Sequence, residues 1–326
     1  MDKVDILLDS LGDVYFPLKK YDYILENVLN NKNRWDTKIV CSILDRDSSR
    51  YVSTTYIKRN DYLRLLETTA FLNCNNKLSP HIAKIYPEDK TIICHYIGEF
   101  LCDYLLNNPD TISLSLTSIF EYLKDVNSIN QSQRIFTIPA IIKTSLQLAE
   151  DTTNDFNFLP RSKVILPNLE SSNIQFTYGH GIEDPHIWNF RVVKTTDKIQ
   201  ALTTDFDFFT DNVNCFWSLG YLYATFRWFK KISFPLACRS EEILLFLIQR
   251  QDLKSELMFW LGVLSSYCGY RDSMYNFIRK KETAILHEQY QLIKQLDEKV
   301  SVLADRLLKE EDCFKYTIAT RELTIN

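Results

Sequence analysis

The spacing of apolar and polar residues changes character several times along this chain. From residue 1 to about 30 it is helical, with Ile6, Leu7 and Leu11 and then Ile24, Leu25 and Val28 recurring on one face. The stretches "KIVCSIL" (38–44) and "RYVSTTYIK" (50–58) are short and rich in β-branched residues, and "DRDSS" between them supplies a turn, so the pattern predicts a hairpin. A helix follows in "NDYLRLLETTAFLNCNNK", capped by Asn60 or Asp61, with Leu63, Leu66 and Ala70 on its apolar face. "HIAKIYPEDKTIICHYI" predicts a second hairpin, closed near Pro87, Glu88 and Asp89. The first hundred residues therefore read helix, strand, strand, helix, strand, strand.

After Gly98 the period becomes helical in "EFLCDYLL", "LSLTSIFEYLKDVNSI" and "AIIKTSLQLAEDT". A polar stretch containing Pro160 and Pro167 comes next. "NIQFTYGHGIEDPHIWNFRVVKTTDKIQALTTDFDFF" then reads strand, loop, strand, turn, strand. From Trp217 onward the chain is helical again. In the long charged stretch at 272–311, Leu286, Ile293, Val300 and Leu307 recur every seven residues. Asp297 and Ala304 interrupt the companion seam, so this helix is expected to pack on its own domain.

Composition narrows the function classes. The 326 residues are 45% hydrophobic and 25% charged, enough for one large domain or two lobes. The formal charge of −4 gives no global basic field for nucleic acid. The eight cysteines form no C-x-x-C pair and no zinc-finger spacing, which predicts reduced, mostly buried thiols. The amino terminus carries Asp2, Asp5, Asp9 and Asp13, unlike a signal or transit peptide. "CFWSLGYLYATFRWF" is too short to span a bilayer. These features predict a cytoplasmic protein without membrane or nucleic-acid partners.

The chemistry is concentrated in "GIEDPHIWNF". Transfer of a γ-phosphoryl group needs a carboxylate at the attacking hydroxyl, oxygen ligands for magnesium and a cation for the phosphates. Asp184 and Asn189 have the D-x-x-x-x-N spacing that puts base and metal ligand on one loop. The following hairpin returns as "IQALTTDFDFF", which ends a strand at Asp205, with Asp207 one residue past Phe206. A transition-metal site through His180, Glu183 and His186 explains fewer residues.

"EDPHIWNF" followed by "TTDFDFF" resembles the loop and strand end of the aminoglycoside phosphotransferase and choline kinase superfamily. The resemblance implies an α+β, bilobal, protein kinase-like fold. Its small antiparallel-sheet amino lobe would be residues 1–97, and its larger, mostly helical carboxyl lobe residues 98–326. It implies Asp184 as catalytic base, Asn189 and Asp205 as magnesium ligands, and His186 and Asp207 in support. In the amino lobe it implies Lys58 as the phosphate lysine, paired with Glu67. The backbone of Cys94, His95, Tyr96 and Ile97 would meet the nucleotide base. The nucleotide loop falls in "LNNKNRWDTKIV", which has no glycine, so Lys32 and Arg34 would supply charge there. Where the family has its loop histidine, two residues before the aspartate, this chain has Ile182.

The implied activity is Mg2+-dependent transfer from ATP (or GTP) to a hydroxyl of a small molecule, by a monomer or homodimer. The alternative is a pseudokinase that binds a nucleotide or a protein. A protein-directed kinase is less favoured, because no A-P-E-like segment follows "TDFDFF".

Overall fold

The computed structural model describes residues 23–29, 38–75, 82–151, 159–194, 198–203, 209–269 and 284–323. The chain divides into two compact units. The first is Met1–Phe100 with Asn189–Phe208, and the second is Leu101–Trp188 with Phe209–Asn326.

The first unit holds an antiparallel sheet of five strands in the order β1-β2-β3-β5-β4. These are β1 (Ile24–Val28), β2 (Lys38–Leu44), β3 (Arg50–Tyr56), β4 (Ile82–Tyr86) and β5 (Thr91–His95). Helix α1 (Arg59–Cys74) joins β3 to β4. One sheet face carries a cluster of Ile39, Cys41, Ile43 and Ile93, edged by Leu25, Val28 and Tyr51. β6 (Glu99–Phe100), β9 (Phe190–Lys194) and β10 (Ile199–Thr203) make a separate three-stranded sheet in the order β10-β9-β6.

Two expectations for this unit are corrected. Residues 24–28 are a strand, not the end of a helix. Five residues are too few for a helix to hold itself, and β1 gains a ladder on β2 from Ile24 opposite Leu44 to Val28 opposite Cys41. In α1 the cap is Lys58, and the buried stripe is Tyr62, Leu65, Thr68, Thr69 and Leu72, while Leu63 and Ala70 are exposed. Two threonines belong to the stripe, and a strict apolar count overlooks them. The rest of the predicted amino-terminal helix lies outside the described residues.

The second unit is mostly helical: α2 (Leu101–Asn107), α3 (Ile112–Asn127), α4 (Ala140–Asp151), α5 (Ser162–Ser171), α6 (Cys215–Phe229), α7 (Phe234–Ile248), α8 (Leu253–Gly269) and α9 (Ala284–Leu323). A sheet in the order β11-β8-β7 joins Phe209–Val213, Gln175–Ile182 and Ser132–Ile135. α6 and α8 pack backbone to backbone at two glycines. A Cβ on Gly220 would stand 1.8 Å from the Phe259 carbonyl oxygen, and one on Gly262 2.0 Å from that of Trp217. α5 forms despite Pro167. The proline sits on the exposed side of the helix, away from the buried Leu166 and Leu169.

The heptad residues Ile293, Val300 and Leu307 of α9 are buried, and the helix packs on α8 and α5 of its own unit, as the interrupted seam suggests. Asp297 is only 1% exposed, and its carboxylate accepts the N–H groups of Arg161 (3.1 Å) and Ser162 (2.8 Å) at the start of α5. Among the described residues no helix is long and apolar enough to cross a membrane. Burial pushes the thiols of Cys41, Cys94, Cys102, Cys215 and Cys268 up to about 12. Cys74 is exposed.

Candidate active site

β8 delivers the candidate loop. Its last residue, Ile182, is buried opposite Phe209 of β11, and the Ile182 carbonyl accepts the Ser218 hydroxyl of α6 at 3.2 Å. Farther back, the Asn127 side-chain amide donates to Val213 O (2.6 Å) and His180 O (3.3 Å), tying α3 to both strands. The chain then leaves regular pairing at Glu183, which is exposed, and Asp184, which is half-buried.

The loop from 183 to 189 is fixed at several points. The His186 N–H donates to the Asp184 carbonyl at 2.8 Å and closes a tight turn around Pro185. The Ile187 N–H donates to the Thr225 hydroxyl of α6 at 3.2 Å, with both residues fully buried. Residues Ile187–Asn189 form a single 3-10 turn. The His186 ring stacks on Trp228 (4.7 Å, 23°) and lies 4.6 Å from the Trp188 ring. Arg227 covers Trp228 at 4.3 Å and Tyr267 at 4.0 Å, and it donates to the Ser266 carbonyl. The result is a ladder of flat groups under the loop, with Trp188 at its exposed end. The Trp188 N–H points at His186 Nδ1 from 3.4 Å, which favours the tautomer with its proton on Nε2.

In the first unit, Asn189 leads directly into β9. β10 runs back along β9, so that Thr203 ends opposite Phe190, and the Thr203 hydroxyl donates to the Asn189 carbonyl at 3.0 Å. The β9–β10 hairpin thus returns the chain beside Asn189. Asp205 is two residues farther on and, with Asp207, lies outside the described residues, as do Lys32 and Arg34.

The segment after β5 carries the candidate base-binding backbone. The strand pairing closes at exposed His95, opposite Tyr51, and the two rings lie 5.1 Å apart. Tyr96 stacks under Arg191 at 4.4 Å, and Phe100 lies 3.9 Å on that guanidinium's account as well. Arg191 is 2% exposed and donates to the Gly98 carbonyl at 3.3 Å. Gly98 has φ +66°, and a Cβ there would stand 2.3 Å from the Val192 carbonyl oxygen, so the position requires glycine. Sequence reasoning missed Arg191, Thr225, Trp228 and Thr203. Each sits inside a regular element, with no local signal beyond a polar or aromatic residue in an apolar run.

The structure does not bring Lys58 and Glu67 together. Lys58 stands at the amino end of α1 and Glu67 nine residues along, and both are exposed. That separation is roughly 13 Å of helical rise and half a turn out of phase.

No family model matches the chain, and no curated protein matches it. Solved structures do. A choline/ethanolamine kinase family protein from Mesorhizobium loti aligns over 93% of this chain and 98% of its own, at 13% identity and a TM-score of 0.52. A thermostable mutant of aminoglycoside phosphotransferase APH(4)-Ia aligns over 87% and 98%, at 10% identity and a TM-score of 0.57. The choline kinase LicA from Streptococcus pneumoniae aligns over 92% and 100%, at 10% identity and a TM-score of 0.50. The chain therefore shares the fold of these solved structures.

Proposed function

We propose that this chain is an ATP- and magnesium-dependent phosphotransferase acting on a hydroxyl of a small molecule. The D-x-x-x-x-N spacing carries the reading, with local support in each unit. In the second unit Thr225 pins the backbone at Ile187, three residues after Asp184, and in the first the β9–β10 hairpin returns beside Asn189, two residues before Asp205 in sequence. Structures of the same fold are named choline/ethanolamine kinase and aminoglycoside phosphotransferase, which supports a small-molecule acceptor.

In this reading Asp184 orients the acceptor hydroxyl and takes its proton. The hydroxyl oxygen bonds to the γ-phosphorus, the bond from phosphorus to the bridging oxygen breaks, and ADP leaves. The Asn189 amide oxygen and the Asp205 carboxylate are hard oxygen donors of the kind magnesium takes, and the bound ion would neutralise phosphate charge. The backbone of Cys94, His95, Tyr96 and Ile97 would meet the base edge, while Lys32 and Arg34 would add charge near the phosphates. His186 acts on the loop's shape through its stack with Trp228 rather than on the acceptor.

The glycine-free stretch 29–37 favours one alternative, a pseudokinase that binds nucleotide or protein without turnover. Calorimetric titration with Mg-ATP and Mg-GTP, followed by turnover assays with amines, sugars and nucleosides, separates the two. Binding with nucleotide consumption is expected. Binding without turnover across the panel, or no binding at millimolar nucleotide, would support the pseudokinase.

A further inference from the structure

We infer that Arg227 is a positioning residue for Asp184: clamped between α6 and α8, it holds Trp228, and through Trp228 and His186 it fixes the turn that carries the carboxylate. The assignment rests on the phosphotransferase reading above for the role of Asp184, and it concerns only the second unit.

Two backbone anchors bracket that turn. Before it, the Ile182 carbonyl accepts the Ser218 hydroxyl at 3.2 Å, and after it the Ile187 N–H donates to the Thr225 hydroxyl at 3.2 Å. Asp184, Pro185 and His186 lie between them, and the turn closes on itself where the His186 N–H meets the Asp184 carbonyl at 2.8 Å. The His186 ring then carries the turn to α6, stacking on Trp228 with ring centres 4.7 Å apart and planes within 23°. Thr225 and Trp228 are three residues apart in one helix, so they share a face, and that face meets the loop twice.

An indole fixes its neighbour only if it is itself fixed. The Arg227 guanidinium carbon lies 4.3 Å from the Trp228 ring centre and 4.0 Å from that of Tyr267 on α8. One of its nitrogens donates to the Ala224 carbonyl (3.1 Å) and the Ser266 hydroxyl (3.3 Å), and another to the Ser266 carbonyl (3.0 Å). The guanidinium thus bridges α6 to the end of α8, with an aromatic ring of each helix against it. A planar, permanently charged fork suits this place, because it rests against a ring while its N–H groups still bond. α6 and α8 also meet backbone to backbone at Gly220 and Gly262, so the clamp ties the loop to a pair of helices with no room to slide.

Two measurements on the full chain test this. The first is hydrogen exchange on peptides covering residues 183–189, in wild type, Arg227→Met and a control, Lys299→Met. Lys299 pairs with Glu256 of α8 at 3.1 Å and stands 5.5 Å from the Trp260 ring, so its loss removes an ion pair and a cation–π contact that do not involve the loop. Exchange at 183–189 should rise at least about tenfold in Arg227→Met and stay at the wild-type rate in Lys299→Met. Equal rates in wild type and Arg227→Met, or an equal rise in both variants, overturns the assignment.

The second follows hydrolysis of Mg-ATP by water beside calorimetric Mg-ATP affinity, with thermal melting to establish folding. Arg227→Met should lower kcat by about 10–100-fold at an unchanged Kd, since a misplaced base slows the chemical step without loosening the nucleotide. Arg227→Lys should recover part of that loss, because the ammonium keeps the charge between the rings but not the forked hold on Ser266. A wild-type kcat in folded Arg227→Met, or a loss of affinity as large as the loss of kcat, overturns the assignment. If Arg227→Met does not fold, Arg227→Lys carries both measurements with the same directions and smaller sizes. If the wild type hydrolyses Mg-ATP no faster than Asp184→Asn, the phosphotransferase reading fails, and the exchange result still decides whether Arg227 holds the turn.

Discussion

The segment after β5 and the loop after β8 are both irregular backbone that must keep one shape, and they are held by different means. Residues 96–98, which lead into β6, are clamped by a buried cation, Arg191, which lies against Tyr96 and Phe100 and donates to the Gly98 carbonyl. Residues 183–189 are held by many weaker ties: a tight turn, a threonine hydroxyl and an aromatic stack. A clamp concentrates its effect in one side chain, whereas a distributed support should fail gradually. The loop also carries Asp184, the carboxylate proposed to act on the acceptor, so that role and the loop's support are separable by mutation.

The largest effect is expected from the chemistry itself. Asp184→Asn should lower turnover by about 10²–10⁴-fold while nucleotide affinity changes little, whereas Asp205→Ala should lose magnesium-dependent nucleotide binding. Equal loss of nucleotide affinity in both, with folding intact, contradicts the division of roles.

Next comes the clamp. Arg191→Met removes two cation–π contacts and a hydrogen bond, and should cost roughly 2–3 kcal/mol of stability in urea unfolding, with weaker ATP binding. Thr225→Val should cost less, about 1–2 kcal/mol, because it leaves the buried Ile187 N–H without its acceptor. Its signature should be a lower kcat at unchanged nucleotide Kd. If Thr225→Val weakened nucleotide binding and Arg191→Met lowered only kcat, the contrast between the two supports would be wrong.

The smallest effect belongs to the sheet edge. The Ser42 hydroxyl and then the Arg50 guanidinium hold the Glu26 carboxyl below its usual range. A carboxylate lowered in the folded state adds stability above its unfolded pKa and loses it as pH falls through the folded value. The loss on acidification should be no more than about 0.5 kcal/mol, since Glu26 and Arg50 are both solvent-accessible. Comparing the acid limb of stability in wild type and Glu26→Gln measures it, and indistinguishable limbs would remove Glu26 from the account.

Much of the fold was legible from local pattern. The hairpin strands at 38–44 and 50–56, the turn at Pro87, and the alternation in "FRVVK" and "IQALT" announce themselves by period and by turn residues. β1, β7 and β11 did not, because each is short and partly exposed and is stabilised by a neighbour distant in sequence. The D-x-x-x-x-N spacing pointed to Asp184 and Asn189 because both residues lie on one loop. Lys58 stood out because it closes a β-branched run, but its distance from Glu67 along α1 follows from where that helix starts, which the apolar pattern alone does not fix.

Asp297 has a consequence for synthesis. Its carboxylate satisfies the first N–H groups of α5, yet it lies 135 residues later in the chain than Ser162. A ribosome adding about 5–20 residues per second takes roughly 7–27 s to cover that interval. Throughout it the nascent α5 begins without its cap, exposing the face that α9 will cover. The second unit therefore cannot complete its packing co-translationally from its amino end, and a chaperone that shields α5 during that interval would raise the yield of folded protein.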